Sequence, residues 1–313
     1  MSENVVAPSS VAVPVQRATW VGWTWALTGT VCFSVSPIFA KLAYAVGLSP
    51  TTMLFLRFCL TIALLGGTLL LTAPHKLRMD RRGLVFALTG GLATGVSMLA
   101  FFWALTRLEA SIASMIFSVY PLAVLGLLAL RGEKFTYRHT VRLALGISGV
   151  CLLIGPGGTV DLFGVALVLI SMLASSVQSV FVQWYLRDYD GIAATLYMVI
   201  GINVVVASRW WFEGASLEVP GWQGWAAIIA LAVISTYLAR LLWFSAVRHI
   251  GGGQTAMLVP LETLLTVMWS VLFLRETLSG MQIVGGGLIL LSALLASQRM
   301  LRARWLPPLA RGR

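Results

Sequence analysis

Apolar residues run along the chain in blocks of about twenty, separated by short polar segments. A block of this length is what an α-helix needs to cross the hydrocarbon core of a bilayer. The pattern therefore predicts ten membrane-spanning helices, numbered here as spans 1 to 10. They cover residues 20–46, 50–72, 82–105, 111–130, 138–155, 161–185, 191–213, 222–247, 253–274 and 280–300.

The composition favours an integral membrane protein over a soluble one. Of 313 residues, 58% are hydrophobic and only 11% are charged, with a mean hydropathy of +0.89. A soluble domain carries roughly 25% charged residues, so this chain has too little charge to cover a water-facing surface. Cys32, Cys59 and Cys151 all lie inside apolar blocks. Their odd number and wide separation argue against a disulfide framework and a zinc site.

Lys and Arg residues are distributed unequally between the two sides of the predicted helix bundle. The tails and the loops after even-numbered spans hold sixteen of the 22, whereas the loops after odd-numbered spans hold three. The positive-inside rule therefore predicts that both termini are cytoplasmic. A net charge of +11 is also found in RNA-binding proteins, but no RNA-binding motif accompanies the basic tail "QRMLRARWLPPLARGR". We expect the basic loops and this tail to meet anionic lipid, and we expect no nucleic-acid partner.

The two ends of the chain differ in character from the apolar blocks. Residues 1–19 lack the basic start and short apolar core of a cleaved signal peptide. We predict a disordered cytoplasmic N-tail there, with span 1 as an uncleaved insertion signal, and a basic cytoplasmic C-tail over residues 301–313. The ten spans lie between these tails.

An internal duplication divides the spans into two halves, residues 20–155 and 161–300. Sliding the sequence along itself by one fixed offset superimposes Ser34 on Ser176 and Met115 on Met257, and nearly superimposes Glu133 on Glu276. Each match alone is weak, but the offset stays nearly constant across most of each half. Because five spans are an odd number, the two copies must be inverted in the membrane. Inverted repeats are typical of secondary transporters, whose substrate site lies between the repeats at the midplane.

Several motifs resemble the EamA-type exporters of the drug/metabolite transporter superfamily. They are "GTVCFSVSPIFAKLA" in span 1, "RLEASIASMIFSVYPLAVLGLLALRGEKFT" around span 4, and "LETLLTVMWSVLFLRETLSGMQIVGGGLILLSALL" in spans 9 and 10. The resemblance covers residues 20 to 300. The chain departs from the family pattern at "LRET", which lacks the glycine before glutamate, and at Pro260, which precedes Glu262 by two residues.

This resemblance implies export of small metabolites, commonly amino acids, across a bacterial inner membrane. The twelve Trp residues are similar to the aromatic loading of exporters for aromatic amino acids. Trp is also enriched at membrane interfaces, however, and at least half of these residues stand at span ends. An exporter of drugs or other metabolites, or a facilitator driven by the substrate gradient, would have the same fold.

Polar residues within the spans are the candidates for the substrate pathway, because they are costly in a bilayer. In "SVSPIF" a proline follows two serines and frees a backbone carbonyl one turn back. In "SSVQSVFVQ" helical spacing places Ser175 and Gln178 on one stripe. Hydrogen bonding between helices is the alternative role of each such residue. The predicted pathway residues are Ser34, Ser36, Ser97, Trp103, Met115, Ser175, Gln178, Tyr237, Trp243 and Glu262, and the gating or coupling candidates are Pro37, Arg240, Pro260 and Glu262.

Among the ionisable side chains within the predicted spans, four merit a functional hypothesis: Lys41, Arg57, Arg240 and Glu262. Lys41 is close enough to the end of span 1 to reach the headgroups, and Arg57 has a structural role in our interpretation. Depth alone suggests an ion pair between Glu262 of span 9 and Arg240 of span 8. If either group instead faces a water-filled cavity, it can meet a zwitterionic substrate. The sequence leaves open whether Glu262 couples export to protons.

Other functional classes are disfavoured by what the sequence contains. The three histidines fall in loops, "GPGGT" lacks the lysine of a phosphate-binding loop, and the residues form no catalytic constellation or metal-ligand cluster. We therefore expect neither an enzyme nor a bound cofactor, and a scaffold without a soluble output module is the weaker alternative. The prediction is a secondary transporter, monomeric or dimeric. It would work by alternating access around a cavity lined by spans 1, 3, 4, 6, 8 and 9.

Overall fold

The computed structural model describes residues 15–129, 137–154, 160–185, 189, 191–214, 221–250, 255 and 258–302. Within these residues every predicted span is helical. Six helices are long and apolar enough to cross a membrane alone, and four shorter apolar helices complete the set. The predicted all-α membrane protein with ten spans in two inverted five-helix repeats is confirmed. Most of the two predicted tails, residues 1–14 and 303–313, lies outside the described residues.

The helices follow the predicted spans closely, with three of them divided into consecutive pieces. Their bounds are Val15–Ser34 and Ser36–Ala45 for span 1, Pro50–Thr72 for span 2, Arg81–Ala104 for span 3, Ala110–Phe117 and Tyr120–Ala129 for span 4, Tyr137–Ile154 for span 5, Leu162–Tyr185 for span 6, Gly191–Phe212 for span 7, Trp222–Ala232, Val233–Leu238 and Ala239–Ile250 for span 8, Val259–Leu274 for span 9 and Gly280–Arg302 for span 10. A short 3₁₀ helix, Pro74–Leu77, follows span 2.

Local sequence signals explain several helix ends. Ser49 caps span 2, because its Oγ accepts a hydrogen bond from the Thr52 N–H at 3.1 Å. Asp80 caps span 3 in the same way through the Gly83 N–H at 3.2 Å. These side chains satisfy N–H groups that have no partner in the first turn of a helix. Span 9 ends at Arg275, whose φ of 55° turns the chain through the left-handed region.

Three of the predicted spans contain a turn just before a proline. The turns fall at Val35 in span 1, at Ser118 and Val119 in span 4, and at Leu258 near the start of span 9, and the prolines are Pro37, Pro121 and Pro260. Proline cannot donate a backbone hydrogen bond and its ring crowds the preceding turn, so it begins a helix more readily than it continues one. In spans 1 and 9 the turn lies two residues before Pro37 and Pro260, the two predicted gating prolines. A gating role for Pro37 and Pro260 stays a prediction.

Glycines permit close helix crossings between spans 3 and 7 and between spans 5 and 10. A side chain at Gly91 would collide with the Met198 carbonyl of span 7. A Cβ atom at Gly149 would lie 2.7 Å from the Gly285 carbonyl oxygen of span 10, well inside van der Waals contact. The absence of a side chain at Gly91 and Gly285 thus permits tight packing of these helices. Gly287, by contrast, has no neighbouring atom within 4 Å of its Cβ position.

Spans alternate in direction, so the loops after odd-numbered spans share one face of the bundle. We call it the odd-loop face, and we call the opposite face, at which the span 3 helix begins, the even-loop face. Span 1 packs along span 8 and meets span 9, while span 6 packs along spans 3 and 4. The first half of span 4 packs against span 9, whereas its second half packs against span 6. Spans 1, 4, 6 and 9 therefore surround the centre of the bundle.

Candidate functional site

A polar cluster lies where spans 4, 6 and 9 meet. It consists of Tyr120, Ser179 and Glu262, all of them half-buried, and we call it the central polar cluster. Tyr120 interacts with the Ser179 side chain and electrostatically with Glu262. The Ser176 hydroxyl donates to the Tyr120 carbonyl at 3.3 Å, which fixes span 6 against the start of the second half of span 4.

The cluster brings together residues at equivalent positions of the two repeats. Tyr120 and Glu262 are separated by the same offset that relates Ser34 to Ser176, so an inverted pair of helices presents them to each other near the axis between the repeats. Glu262 lies in the first turn of the span 9 helix, two residues after Pro260, and its N–H donates to the Leu258 carbonyl at 2.8 Å. The one carboxylate predicted inside a span thus stands between the repeats.

Two serines of span 6, Ser171 and Ser175, form hydrogen bonds with span 3. Ser97 is buried, and its Oγ lies 2.6 Å from the Ser175 Oγ and 2.9 Å from both the carbonyl and the Oγ of Ser171. These contacts hold spans 3 and 6 together, which is the helix-to-helix role considered as the alternative. Gln178 is half-buried and directly precedes Ser179 of the central polar cluster. The pathway role of all three predicted residues stays a prediction.

The interruption in span 1 is tied to span 9 by two hydrogen bonds. The Trp269 indole N–H donates to the Ser34 Oγ at 3.0 Å, and the Thr266 hydroxyl donates to the Ser34 carbonyl at 3.0 Å. Ser34 is fully buried, whereas Ser36 is half-buried. The sequence interpretation missed Thr266 and Trp269. Their spacing of four and seven residues from Glu262, which places all three on one helix face, was the available signal.

Trp103 and Met115 lie away from the central polar cluster. The Trp103 indole N–H donates to the Thr51 hydroxyl at 3.3 Å, and its ring lines a groove of about 510 Å³ between spans 3, 6 and 7. Met115 is 4% exposed and packs against Gly286 of span 10. The structure therefore does not bring these two side chains together with the polar candidates.

The two aromatic candidates of span 8 contact different neighbours. The hydroxyl groups of Tyr237 and Thr68 are 2.7 Å apart, which joins span 8 to span 2. The Trp243 ring meets the Phe33 ring edge to face, with 6.3 Å between centroids, and so packs against span 1. Both aromatic side chains are half-buried.

A π-helical segment in span 8, Val233–Leu238, contacts the buried Arg57 of span 2. The Arg57 Nε donates to the Thr236 Oγ1 at 2.8 Å, and its guanidinium lies 5.3 Å from the centre of the Phe102 ring. The wider turn of this segment lets Thr236 donate in its turn to the Leu231 carbonyl, five residues back. π-helical turns of this kind frequently mark functional sites.

The predicted Glu262–Arg240 ion pair is not formed. In the part of the chain that the structure describes, the ion pairs are Arg107–Asp161 and Arg209–Glu213, both near the odd-loop face. The electrostatic neighbour of Arg240 is instead Arg57, which is only 3% exposed. Depth along the helix correctly indicated that both groups are interior, but it carries no information on which faces of spans 8 and 9 they occupy.

The odd-loop face is closed by contacts between the two repeats. The Glu276 carboxylate, in the loop after span 9, accepts from the backbone N–H groups of Ala110 and Ser111 at 2.7 and 3.0 Å and from the Ser111 hydroxyl at 2.6 Å. It thereby caps the start of span 4, where unpaired N–H groups favour an anion. The Lys41 ammonium donates to the Leu108 carbonyl at 2.6 Å, so Lys41 does not simply extend to the headgroups.

We call Lys41, Glu109 and Glu276 the odd-face latch. Glu109 directly precedes span 4, and burial, followed by the nearby Glu276 carboxylate, raises its pKa, while Lys41 opposes the rise. The latch joins span 1 and the start of span 4 to the end of span 9. No role was predicted for Glu276 from the sequence, although Glu276 nearly coincides with Glu133 when the two repeats are superimposed. Glu133 lies outside the described residues.

Metal binding finds no support in the part of the chain that is described, where His, Cys, Asp and Glu side chains form no group of three that could hold an ion. The features that bear on function are instead the half-buried central polar cluster, the interrupted helices and the contacts that close the odd-loop face.

Comparison with known proteins also indicates a transporter. The sequence profile of the EamA-like transporter family matches residues 20–155 and again residues 162–298. The uncharacterized transporter YcbK of Bacillus subtilis is 26% identical over 289 residues, which are 87% of this chain and 91% of that protein. An uncharacterized transporter of Archaeoglobus fulgidus is 26% identical over 261 residues, 81% of this chain and 91% of that protein. A solved crystal structure superposes with a TM-score of 0.64 at 18% identity, over 92% of this chain and 99% of the other.

Proposed function

Because the chain belongs to the EamA-like transporter family of the drug/metabolite transporter superfamily, we propose that it is a secondary transporter that exports amino acids. Its place is the inner membrane of a bacterium, with both termini in the cytoplasm. The odd-loop face, which carries the fewest basic residues, is then periplasmic. In this proposal the odd-face latch closes the described conformation to the periplasm.

The observation that carries this proposal is the convergence of interrupted spans from both repeats on one polar centre. Spans 4 and 9 bring Tyr120 and Glu262 together, and the interruption of span 1 is bonded to span 9 through Ser34. Rocking of one repeat against the other would open the latch while the interrupted helices bend. The substrate would meet the same central groups from either side, as alternating access requires.

Charges of both signs within the spans support a zwitterionic substrate. Glu262 and Arg240 are interior and are not paired with each other, so each is available to a ligand group of opposite charge. The aromatic residues give weaker support for aromatic substrates. Trp20, Trp211 and Trp222 are 76%, 76% and 79% exposed at span ends, where Trp serves at the membrane interface.

A panel of amino acids in proteoliposomes tests the proposal, with and without a pH gradient. We expect saturable counterflow of at least one amino acid. If Glu262 couples export to protons, Glu262→Gln abolishes stimulation by the gradient but preserves counterflow, because exchange needs no net proton movement. Glu213→Gln is the matched control, since that carboxylate pairs with Arg209 of its own helix.

Each alternative has a distinct result in the same assay. Gradient-independent uptake that equilibrates the substrate indicates a facilitator. Saturable flux of a drug or another metabolite, with none of any amino acid, refutes the proposed substrate class. Stepwise single-channel currents refute the carrier mechanism itself.

A further inference from the structure

Two arginines deep within the spans have hydrogen-bonding atoms that nothing satisfies. The Arg57 Nη1 and the Arg240 Nε are both shielded from solvent and have no hydrogen-bond partner in the described structure. Arg57 is almost completely buried, whereas the rest of the Arg240 side chain is half-buried. A guanidinium remains charged and presents five donors, so unpaired donors in a bilayer interior are costly.

The two guanidinium groups belong to one site. Arg57 is bonded to Thr236, and Arg240 follows Thr236 by four residues on the same span. Residues at this spacing share one face of a helix. The two charges accordingly interact with each other electrostatically, and their repulsion adds to the cost of burying them.

The described carboxylates do not neutralise this site. Six of the chain's eleven acidic residues are described, and none of the six lies within 4.0 Å of either guanidinium. The other five belong by sequence to the tail and the loops, namely Glu3, Glu133, Asp188, Asp190 and Glu218. Buried charges in proteins are paired with an opposite charge, because moving a charge out of water without such a partner costs a large amount of free energy.

The Arg57 guanidinium is held in place with one donor left unpaired. Its Nε is engaged by Thr236, and its central carbon lies 5.5 and 5.3 Å from the centres of the Phe58 and Phe102 rings. These contacts fix the group in space, and its Nη1 has no hydrogen-bond partner in the described structure. A fixed, charged donor of this kind suits a carboxylate oxygen.

We propose that Arg57 and Arg240 together form a binding site for a small monoanion, and that the anion is the carboxylate of the transported amino acid. The identity of the anion rests on the proposed function, whereas the anion site itself does not. Arg57 is the fixed partner, and Arg240 is the more accessible one through which the carboxylate enters. An inorganic anion such as chloride has the same charge and is the other source of the same chemistry.

Thermal unfolding of the purified protein in detergent tests the site without any transport measurement. In a buffer with isethionate, a bulky anion, we expect acetate and the transported amino acid to raise the Tm saturably. The amine that lacks the carboxylate should not raise it. Arg240→Gln and Arg57→Gln should each weaken the apparent affinity about tenfold to 100-fold, the loss expected for a hydrogen bond to a charged group. Arg209→Gln, which alters an exposed arginine with its own partner, should leave the affinity unchanged.

The outcomes separate the anion, the site and the function. Stabilisation by chloride but not by carboxylates overturns the assignment of the anion, and an absence of saturable stabilisation by either overturns the site. Wild-type affinity in both variants also overturns it. If Arg57→Gln does not fold, Arg57→Lys replaces it, since a lysine keeps the charge but loses the planar fork. Carboxylate binding at this site without amino-acid transport would refute the proposed function and leave the site standing.

Discussion

Replacing Glu276 with alanine should open the odd-loop face. The carboxylate accepts three hydrogen bonds from the start of span 4, two of them from backbone N–H groups. A buried hydrogen bond to a charged group contributes about 1.5–3 kcal/mol, but Glu276 is only half-buried, and loss of a helix cap costs about 0.5–2 kcal/mol. We therefore expect a net loss of about 2 kcal/mol from the closed state. This corresponds to a shift of about 30-fold in the ratio of closed to open molecules.

The shift can be measured as the accessibility of a cysteine beneath the latch. Gln178→Cys is placed in a chain whose Cys32, Cys59 and Cys151 have been replaced, and a membrane-impermeant thiol reagent is added from the odd-loop side. While the closed state predominates, the modification rate is proportional to the open fraction, so Glu276→Ala should raise it about 30-fold.

The control for this experiment is Glu213→Gln, which removes a carboxylate near the same face that pairs only within its own helix. Its modification rate should stay at the starting value. A folded Glu276→Ala protein with an unchanged rate would refute the reasoning, because the latch would then contribute nothing to closure.

Three further predictions concern single contacts. The raised pKa of Glu109 means that protonation stabilises the latch. This stabilisation is complete below the ordinary pKa of 4.5 and is lost as pH rises through the raised value. Glu109→Gln should therefore remove this pH dependence from the ratio of closed to open molecules, measured as the Gln178→Cys modification rate relative to that of a free thiol at the same pH. Gly201→Val should lower the Tm sharply, because even a Cβ atom there would lie 2.6 Å from the Leu88 carbonyl oxygen; Gly287→Ala, in open space, should not. Trp269→Phe removes the indole donor to Ser34 and should reduce the free energy of unfolding by about 1 kcal/mol in denaturant titration, and an unchanged value would contradict it.

Much of the architecture was predictable because bilayer thickness constrains the sequence directly. A long apolar block has few alternatives to a spanning helix, and the odd number of spans in each repeat then requires inversion of the two halves. Proline identity similarly indicated interruptions near Pro37 and Pro260. Apolar blocks, prolines and the repeat offset can all be read directly from a single sequence.

Side-chain partners were not predictable to the same degree, because periodicity assigns a residue to a helix face but not to a neighbour. Ser97 and Ser175 were expected along a pathway, and the structure shows them bonded to each other across spans 3 and 6. Arg240 was assigned to Glu262 by depth alone, whereas its electrostatic neighbour in the structure is Arg57. Nothing in the local sequence indicates that Glu276 caps a helix that begins far earlier in the chain, at Ala110.

The central claim, that opening and closing of the odd-loop face is part of the transport cycle, can be tested by reversible cross-linking. Ser111 and Glu276 are replaced by cysteines in the chain without other cysteines, and a short bifunctional thiol reagent joins them through reducible bonds in proteoliposomes. We expect cross-linking to stop counterflow of the transported substrate and reduction to restore it. The same reagent applied to cysteines at Arg209 and Glu213, which lie one turn apart at the end of span 7, should leave transport intact. Undiminished transport with the Ser111 and Glu276 positions fully cross-linked would contradict the account.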